Sequence, residues 1–290
     1  MPLGRQHPAD SLLKAIDAMG APVCVGLDPV LERIPSEVRI GTPAASVARF
    51  SLGIIDAVRG IVPCIKVQAA CFERYGADGF KALEEVMAAA KAAGILTILD
   101  AKRGDIGISA EHYAAALFGH FSADWCTVNA YLGIDGVTPF LAHGGVFALV
   151  RTSNPASDAL QSLQLADGRS VAEAVASLVA ATGAQSIGTS GFSSLGAVVG
   201  ATKAQDATSL RAVMPQQLFL VPGYGAQGGT ADDVRRCFRL DGKGAIVTAS
   251  RSVIYPTCDD GEHWKSAVER AARTFAAEIR AVCCAAASQP

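Results

Sequence analysis

The chain has 290 residues, of which 50% are hydrophobic and 18% charged, and its formal net charge is −2. That is enough apolar surface for a large core, and it excludes wholesale disorder. The near-neutral balance also excludes broad binding to nucleic acid or an anionic membrane, both of which need a basic surface; a small anion held by a few local cations is still allowed.

In chain order, the N-terminal run MPLGRQHPAD lacks the apolar stretch of a secretory signal. Helical spacing begins over residues 11–19, and a short apolar strand pattern follows at 22–27. A helix is predicted at 44–59, a strand at 63–68, and an Ala-rich helix at 79–93 that Gly94 is placed to stop. Next come a strand at 95–101, a helix at 109–118, and strands at 125–130 and 146–152. A helix at 171–181 is followed by strands at 195–200 and 218–222, a helix at 231–239, a strand at 245–250 and a last helix at 263–283.

Residues 174–202 carry no charge, but Gly183, Gly188, Gly191 and Gly196 break the run, and a spanning helix needs about 20 mainly apolar residues. Residues 183–194 read instead as a mobile loop, and residues 285–290 as a frayed tail. The strand patterns do not alternate cleanly between apolar and polar, as suits a parallel sheet covered by helices. Eight such strands with helices between them predict a (β/α)8 TIM barrel in one domain over residues 1–290; a doubly wound open sheet is the alternative.

The eight cysteines, at 24, 64, 71, 126, 237, 258, 283 and 284, include no C-x-x-C pair and no Cys/His cluster of the kind that holds zinc. They read as buried, reduced thiols of a cytoplasmic protein, with the adjacent Cys283 and Cys284 incidental. His112 and His143 read as structural or exposed, and the five histidines form no array.

The strongest local signal is Leu99-Asp100-Ala101-Lys102-Arg103-Gly104-Asp105-Ile106, directly after an apolar strand. Residues two apart on a strand share a face, so Asp100 and Lys102 project together, with Asp105 in the turn beyond. Asp28 follows the first strand, and Lys66 lies in the second. Charges are unwelcome in a strand core unless paired, so these residues form either a structural ion-pair network or a shared site at the C-terminal mouth of a barrel. Three neighbouring strands ending this way favour the site.

A second cluster follows the seventh and eighth strands. The glycine-rich run Pro222-Gly223-Tyr224-Gly225-Ala226-Gln227-Gly228-Gly229 lets backbone N–H groups approach an anion, with Gly225 at its centre. Arg251 supplies a cation after the eighth strand. Loops at these two places commonly form a phosphate site in (β/α)8 enzymes, and a guanidinium holds phosphate through paired hydrogen bonds.

The ordered set G-L-D-P at 26–29, I-K at 65–66 and D-A-K-R-G-D-I at 100–106 resembles orotidine 5′-phosphate decarboxylase. The stretches Thr127-Val128-Asn129, Tyr131-Leu132-Gly133 and Val150-Arg151-Thr152-Ser153-Asn154-Pro155 resemble its longer bacterial branch, and the likeness runs from about residue 21 to 256. The resemblance implies decarboxylation of orotidine 5′-phosphate to uridine 5′-phosphate, the last step of UMP biosynthesis, with no metal and no organic cofactor.

By the same resemblance, Lys102 protonates the carbon that CO2 leaves, and Asp100 stands near the departing carboxylate. Lys66 completes the alternating charges on the ribose side. Asp28 contacts a ribose hydroxyl, Ser153 the pyrimidine edge, Gln227 both phosphate and pyrimidine, and Arg251 the phosphate. Asp105 and Ile106 reach the active site of a neighbouring subunit, which implies a homodimer.

Val30 and Ala130 depart from the pattern, where histidine and proline are expected, and bear on local loop geometry. Two other functions compete with this one. A sugar-phosphate barrel enzyme would tend to need a divalent metal. A silent nucleotide-binding barrel would usually have lost part of the charged array.

Overall fold

A computed structural model describes residues 6–225 and 228–287. Eight parallel strands close on themselves in sequence order: β1 (Val23–Leu27), β2 (Cys64–Gln68), β3 (Leu96–Arg103), β4 (Trp125–Val128), β5 (Gly145–Arg151), β6 (Leu195–Val199), β7 (Phe219–Pro222) and β8 (Ala245–Ala249). The seam is the pairing of β1 with β8, in which Val23 stands opposite Val247. Closure leaves no strand edge unpaired, and it rules out the open-sheet alternative.

The strands are apolar along their length because they are buried on both faces. Outward residues such as Val25, Ile65 and Val247 pack under the helices, in one cluster with Phe50, Leu83 and Ile279. Inward residues Cys24, Cys64, Ile98, Trp125, Phe147, Leu220 and Ile246 fill the barrel interior. Trp125 stacks on Phe147 with ring centroids 4.5 Å apart, and Gly145 makes room, since a Cβ there would lie 2.2 Å from the indole.

The helices on the outer wall fall close to their expected places, apart from several short added turns and three larger differences. A helix at Ala204–Val213 joins β6 to β7 where none was expected; it buries only Ala204, Ala207 and Leu210, too thin a stripe to announce itself. The expected helix at 231–239 ends at Arg235, after a start fixed by reciprocal hydrogen bonds between Thr230 and Asp233. The helix after β3 spans Gly107–Ala114 and then widens into a π-helical turn over Ala115–His120. Among the described residues no helix is long and apolar enough to cross a membrane.

The N-terminal helix, Pro8–Met19, closes the end of the barrel where the strands begin. Its Ala9, Leu12 and Leu13 pack with Trp125, Leu218 and Phe192. Residues 183–194, read above as a mobile loop, are tied to this helix instead. Asp10 accepts hydrogen bonds from the Thr189 N–H at 3.0 Å, the Thr189 hydroxyl at 2.8 Å and the Ser190 N–H at 2.8 Å. Ile187 and Ser193 form an antiparallel bridge across the loop. The polar, glycine-broken composition that suggested motion serves these turns.

Burial opposes the charge on Asp10, but the donors from Ser190 and Thr189 outweigh it and bring its pKa from 3.8 to about 2. A depressed carboxylate pKa stabilises the fold fully above the unfolded value and loses that effect as pH falls through the folded one. Asp10→Ala is therefore expected to lower Tm by about 2–4 °C near pH 7. The deficit should shrink below about pH 4. Thermal melts across pH, with amide exchange over residues 184–194, check this; an unchanged melt at pH 7 would count against it.

Candidate active site

The charged residues meet at the C-terminal mouth. Lys66 and Asp100 come from adjacent strands, and the register that pairs Gln68 with Asp100 sets their side chains against each other. Lys66 Nζ donates to Asp100 Oδ2 at 2.7 Å and lies 3.5 Å from Asp28 Oδ1. Lys102 Nζ donates to Asp100 Oδ1 at 2.7 Å. The order in space is thus Asp28, Lys66, Asp100, Lys102, with alternating sign.

Burial separates the two lysines. Lys66 is 6% exposed and Asp100 5%, whereas the Lys102 side chain is 46% exposed and presents its ammonium to the mouth. Burial opposes the charge on Asp100, but Lys66 and Lys102 outweigh it and hold the carboxyl well below the usual carboxylate range. Burial likewise opposes the charge on Lys66, yet Asp100 and Asp28 hold its pKa above the usual lysine value. Both groups therefore stay ionised at neutral pH.

The backbone at Lys102 is unusual. Leu99 pairs with Cys126, but the next pair is Arg103 with Val128, so β3 carries extra residues against β4. Lys102 takes φ +46°, in the left-handed region. Its N–H donates to Thr127 Oγ1 at 3.0 Å, and the Thr127 hydroxyl donates to Asp100 Oδ1 at 2.7 Å. Arg103 pairs with Glu73 and fastens the strand end to the wall.

A cavity of about 710 Å³ opens above this array and is lined by Asp28, Lys66, Asp100, Lys102, Ser153 and Arg251 among others. Ser153 leaves the end of β5, and Gly200 leaves space for it, since a Cβ at 200 would lie 2.8 Å from Ser153 Cβ. The preceding Arg151 is 2% exposed and gathers the next turns around it. It donates to Asp206 at 2.6 Å, Asp158 at 2.5 Å and Ser157 at 3.1 Å. Gln161 folds back to accept from the Thr152 N–H at 2.9 Å.

At the other end of the cavity lie Gly223, Tyr224 and Arg251, the last opening a short helix after β8. Gly225, expected to offer its N–H to an anion, is turned differently. Its φ of +67° forms the turn, its N–H donates to Gly229 O at 3.0 Å, and it lines an outer groove instead. Tyr224 donates its hydroxyl to Glu278 at 2.9 Å, on the wall side. Gln227 lies outside the described residues.

Asp105 and Ile106 do not line this cavity. Asp105 Oδ1 accepts from the Ile106 N–H at 2.8 Å, and the Ile106 side chain is 53% exposed. Ile108, Tyr131 and Leu132 are exposed as well, and Gly136 brings the two loops together, lying between the Asp105 carbonyl and Leu132. The result is an apolar rim beside the mouth.

His112 and His143 are exposed, as expected. All eight cysteines are free, but only Cys24, Cys64, Cys126 and Cys237 are buried. Among the described residues no group of three or more His, Cys, Asp or Glu is placed to hold a metal.

Several lining residues had no individual role in the sequence reading: Gln68, Thr127, Tyr131, Gln161 and Thr248. Two were within reach of it. Gln68 is two residues beyond Lys66 on the same face, and Thr127 is the polar residue in the buried strand WCTV. Gln161 reaches the cavity only through the fold of the β5 connection.

Residues 21–266 match the family model described as Orotidine 5'-phosphate decarboxylase / HUMPS family. The chain is 41% identical over 289 residues to an orotidine 5′-phosphate decarboxylase of Rhodopirellula baltica, covering 91% of this chain and 95% of the relative. It is 42% identical over 240 residues to the corresponding protein of Deinococcus radiodurans, covering 80% and 84%. The solved structure of Leishmania donovani OMP decarboxylase superposes with a TM-score of 0.80 at 32% identity, covering 96% of this chain and 99% of that one.

Removing one partner of a buried ion pair leaves the other uncompensated. Asp100→Asn should therefore destabilise the fold by about 3 kcal/mol, because Lys66 would keep only the more distant Asp28. Urea denaturation measures this, and equal midpoints and slopes would show that the array carries no net stability.

Proposed function

The chain belongs to the Orotidine 5'-phosphate decarboxylase / HUMPS family and is a carboxy-lyase that converts orotidine 5′-phosphate to uridine 5′-phosphate and CO2 in pyrimidine biosynthesis; we propose that Lys102 carries its chemistry. One observation supports this above the others. Of the two lysines on Asp100, Lys66 is buried and shared with Asp28, while the Lys102 side chain is 46% exposed at the mouth of the cavity.

When the bond to CO2 breaks, its electron pair stays on C6 of the ring. A fixed ammonium beside that carbon is worth most in the transition state, where the charge has localised. A unit-charge pair at 4 Å gains about 1 kcal/mol in water and roughly 4 at an effective dielectric of 20, so a substrate that displaces water strengthens the effect. Lys102 then passes a proton from Nζ to C6 as general acid and is reprotonated from solvent. Asp100, ionised and close by, disfavours the substrate carboxylate and favours its loss as neutral CO2.

The remaining roles follow the cavity from end to end. Arg251 binds the phosphate with Gln227, and Gly225 contributes from the glycine-rich loop after β7. Asp28 and Lys66 face the ribose, and Ser153 meets the pyrimidine edge. The proposed chemistry takes no metal and no organic cofactor: the Lys66 and Lys102 ammoniums together already balance the Asp28 and Asp100 carboxylates. Asp105 and Ile106 do not line their own cavity and serve the site of a second copy, and the exposed rim of Ile106, Ile108, Tyr131 and Leu132 becomes the dimer contact. Residues 1–290 act as one catalytic domain, in the cytoplasm.

The direct test follows the absorbance loss of orotidine 5′-phosphate with and without EDTA. Loss that ignores EDTA is expected, and an EDTA-sensitive reaction would favour a metal-dependent sugar-phosphate chemistry. Lys102→Ala should lower kcat by about 10²–10⁴-fold or more while still binding uridine 5′-phosphate; normal turnover by the folded variant would sink the assignment. Arg251→Ala should chiefly raise KM. For the shared site, Lys102→Ala and Asp105→Asn proteins are refolded together in equal amounts. Half of the dimers would be mixed, each with one complete site, so about a quarter of full activity should return. No recovery would place Asp105 in its own subunit's site, and full activity of Asp105→Asn on its own would place it outside catalysis.

A further inference from the structure

The Thr127 hydroxyl lies in β4, a strand otherwise made of Trp125, Cys126 and Val128, and the residue is 1% exposed. A valine of the same shape would suit such surroundings without a polar atom to satisfy. The hydroxyl both donates and accepts. It accepts from the Lys102 backbone N–H at 3.0 Å and donates to Asp100 Oδ1 at 2.7 Å. The same Oδ1 accepts from Lys102 Nζ at 2.7 Å. Lys102 is thus held at both ends, by its backbone and by its ammonium, in a closed ring through Thr127 and Asp100.

The register explains why a side chain is needed. Between the Leu99–Cys126 and Arg103–Val128 pairs the β3–β4 ladder is interrupted. The Lys102 N–H falls in this gap and bonds to a side chain in place of a strand carbonyl. Its left-handed φ of +46° is one that lysine rarely adopts, and it survives only where the surroundings over-determine it.

We infer that Thr127 is a positioning residue for the decarboxylation, its hydroxyl fixing the backbone turn and the carboxylate oxygen that together aim the Lys102 ammonium. This rests on Lys102 being the proton donor. Thr127 acts through Lys102 and Asp100, so its loss should fall on the chemical step more than on nucleotide binding.

The test compares Thr127→Val, which keeps the shape, with Thr127→Ser, which keeps the hydroxyl. In Thr127→Val, kcat should fall by about tenfold or more, while KM and the Kd for uridine 5′-phosphate stay within about threefold. Thr127→Ser should recover kcat to within about threefold. Amide exchange at Lys102 should quicken in the valine variant alone. If Thr127→Val does not fold, Thr127→Cys takes its place, because it keeps the volume and offers only a weak S–H donor.

An equal kcat in the valine variant, a loss that falls on KM, or a serine variant as slow as valine would overturn the inference while leaving the decarboxylase reading intact. No consumption of orotidine 5′-phosphate by the unaltered chain would overturn that reading, and this inference with it.

Discussion

A carboxylate as deeply buried as Asp100 is stable only when its charge is answered on every side. Desolvation of an isolated ion costs several kcal/mol even after relaxation, and only close opposite charges and hydrogen-bond donors offset it. Lys66, Lys102, Gln68 and Thr127 supply them. Much of the architecture follows from that need. The donors come from three adjacent strands, so those strands must be parallel, in fixed register and ending at one level. A closed barrel provides this, with the wall helices holding the strands from outside.

The same arrangement separates stability from chemistry along the barrel axis. The lower interior is apolar, filled by Trp125, Phe147 and their neighbours and stoppered by the N-terminal helix. The upper interior is polar and opens to the cavity. An array assembled on strand ends, above a packed core, has little freedom to reorganise when charge moves during a reaction. That fixity is what makes preorganised charge effective. The cavity wall contributed by the β5 connection is fixed in another way, around the buried Arg151 guanidinium.

Much of this was legible in the sequence, for identifiable reasons. Strands buried on both faces give apolar runs, and all eight could be placed, although the sixth, at 195–200, was poorly defined. Charges at the ends of such runs stand out because they are costly there, so Asp28, Lys66, Asp100 and Lys102 could be named. What could not be read has several physical causes. The helix at Ala204–Val213 buries too narrow a stripe to show a clear period. The loop at 183–194 looked free because its anchor, Asp10, is 179 residues away in sequence. Gly225 has the composition of an anion-binding turn, but its N–H is taken by Gly229. Thr127 carried a signal, a hydroxyl in an apolar strand, but no meaning until the ladder beside it was seen to break.

The seam between β1 and β8 joins residues near opposite ends of the chain, Val23 to Val247. During synthesis β1 is among the first strands to emerge, and its outer edge has no partner until β8 has been made. At ordinary translation rates that wait is on the order of ten seconds or more. For that time an apolar strand edge is open to pairing with the wrong neighbour. Nascent chains of this barrel thus have a built-in need for shielding until the final strand arrives, and damage that removes only the C-terminal strand and helix leaves every earlier strand made and the cylinder unclosed.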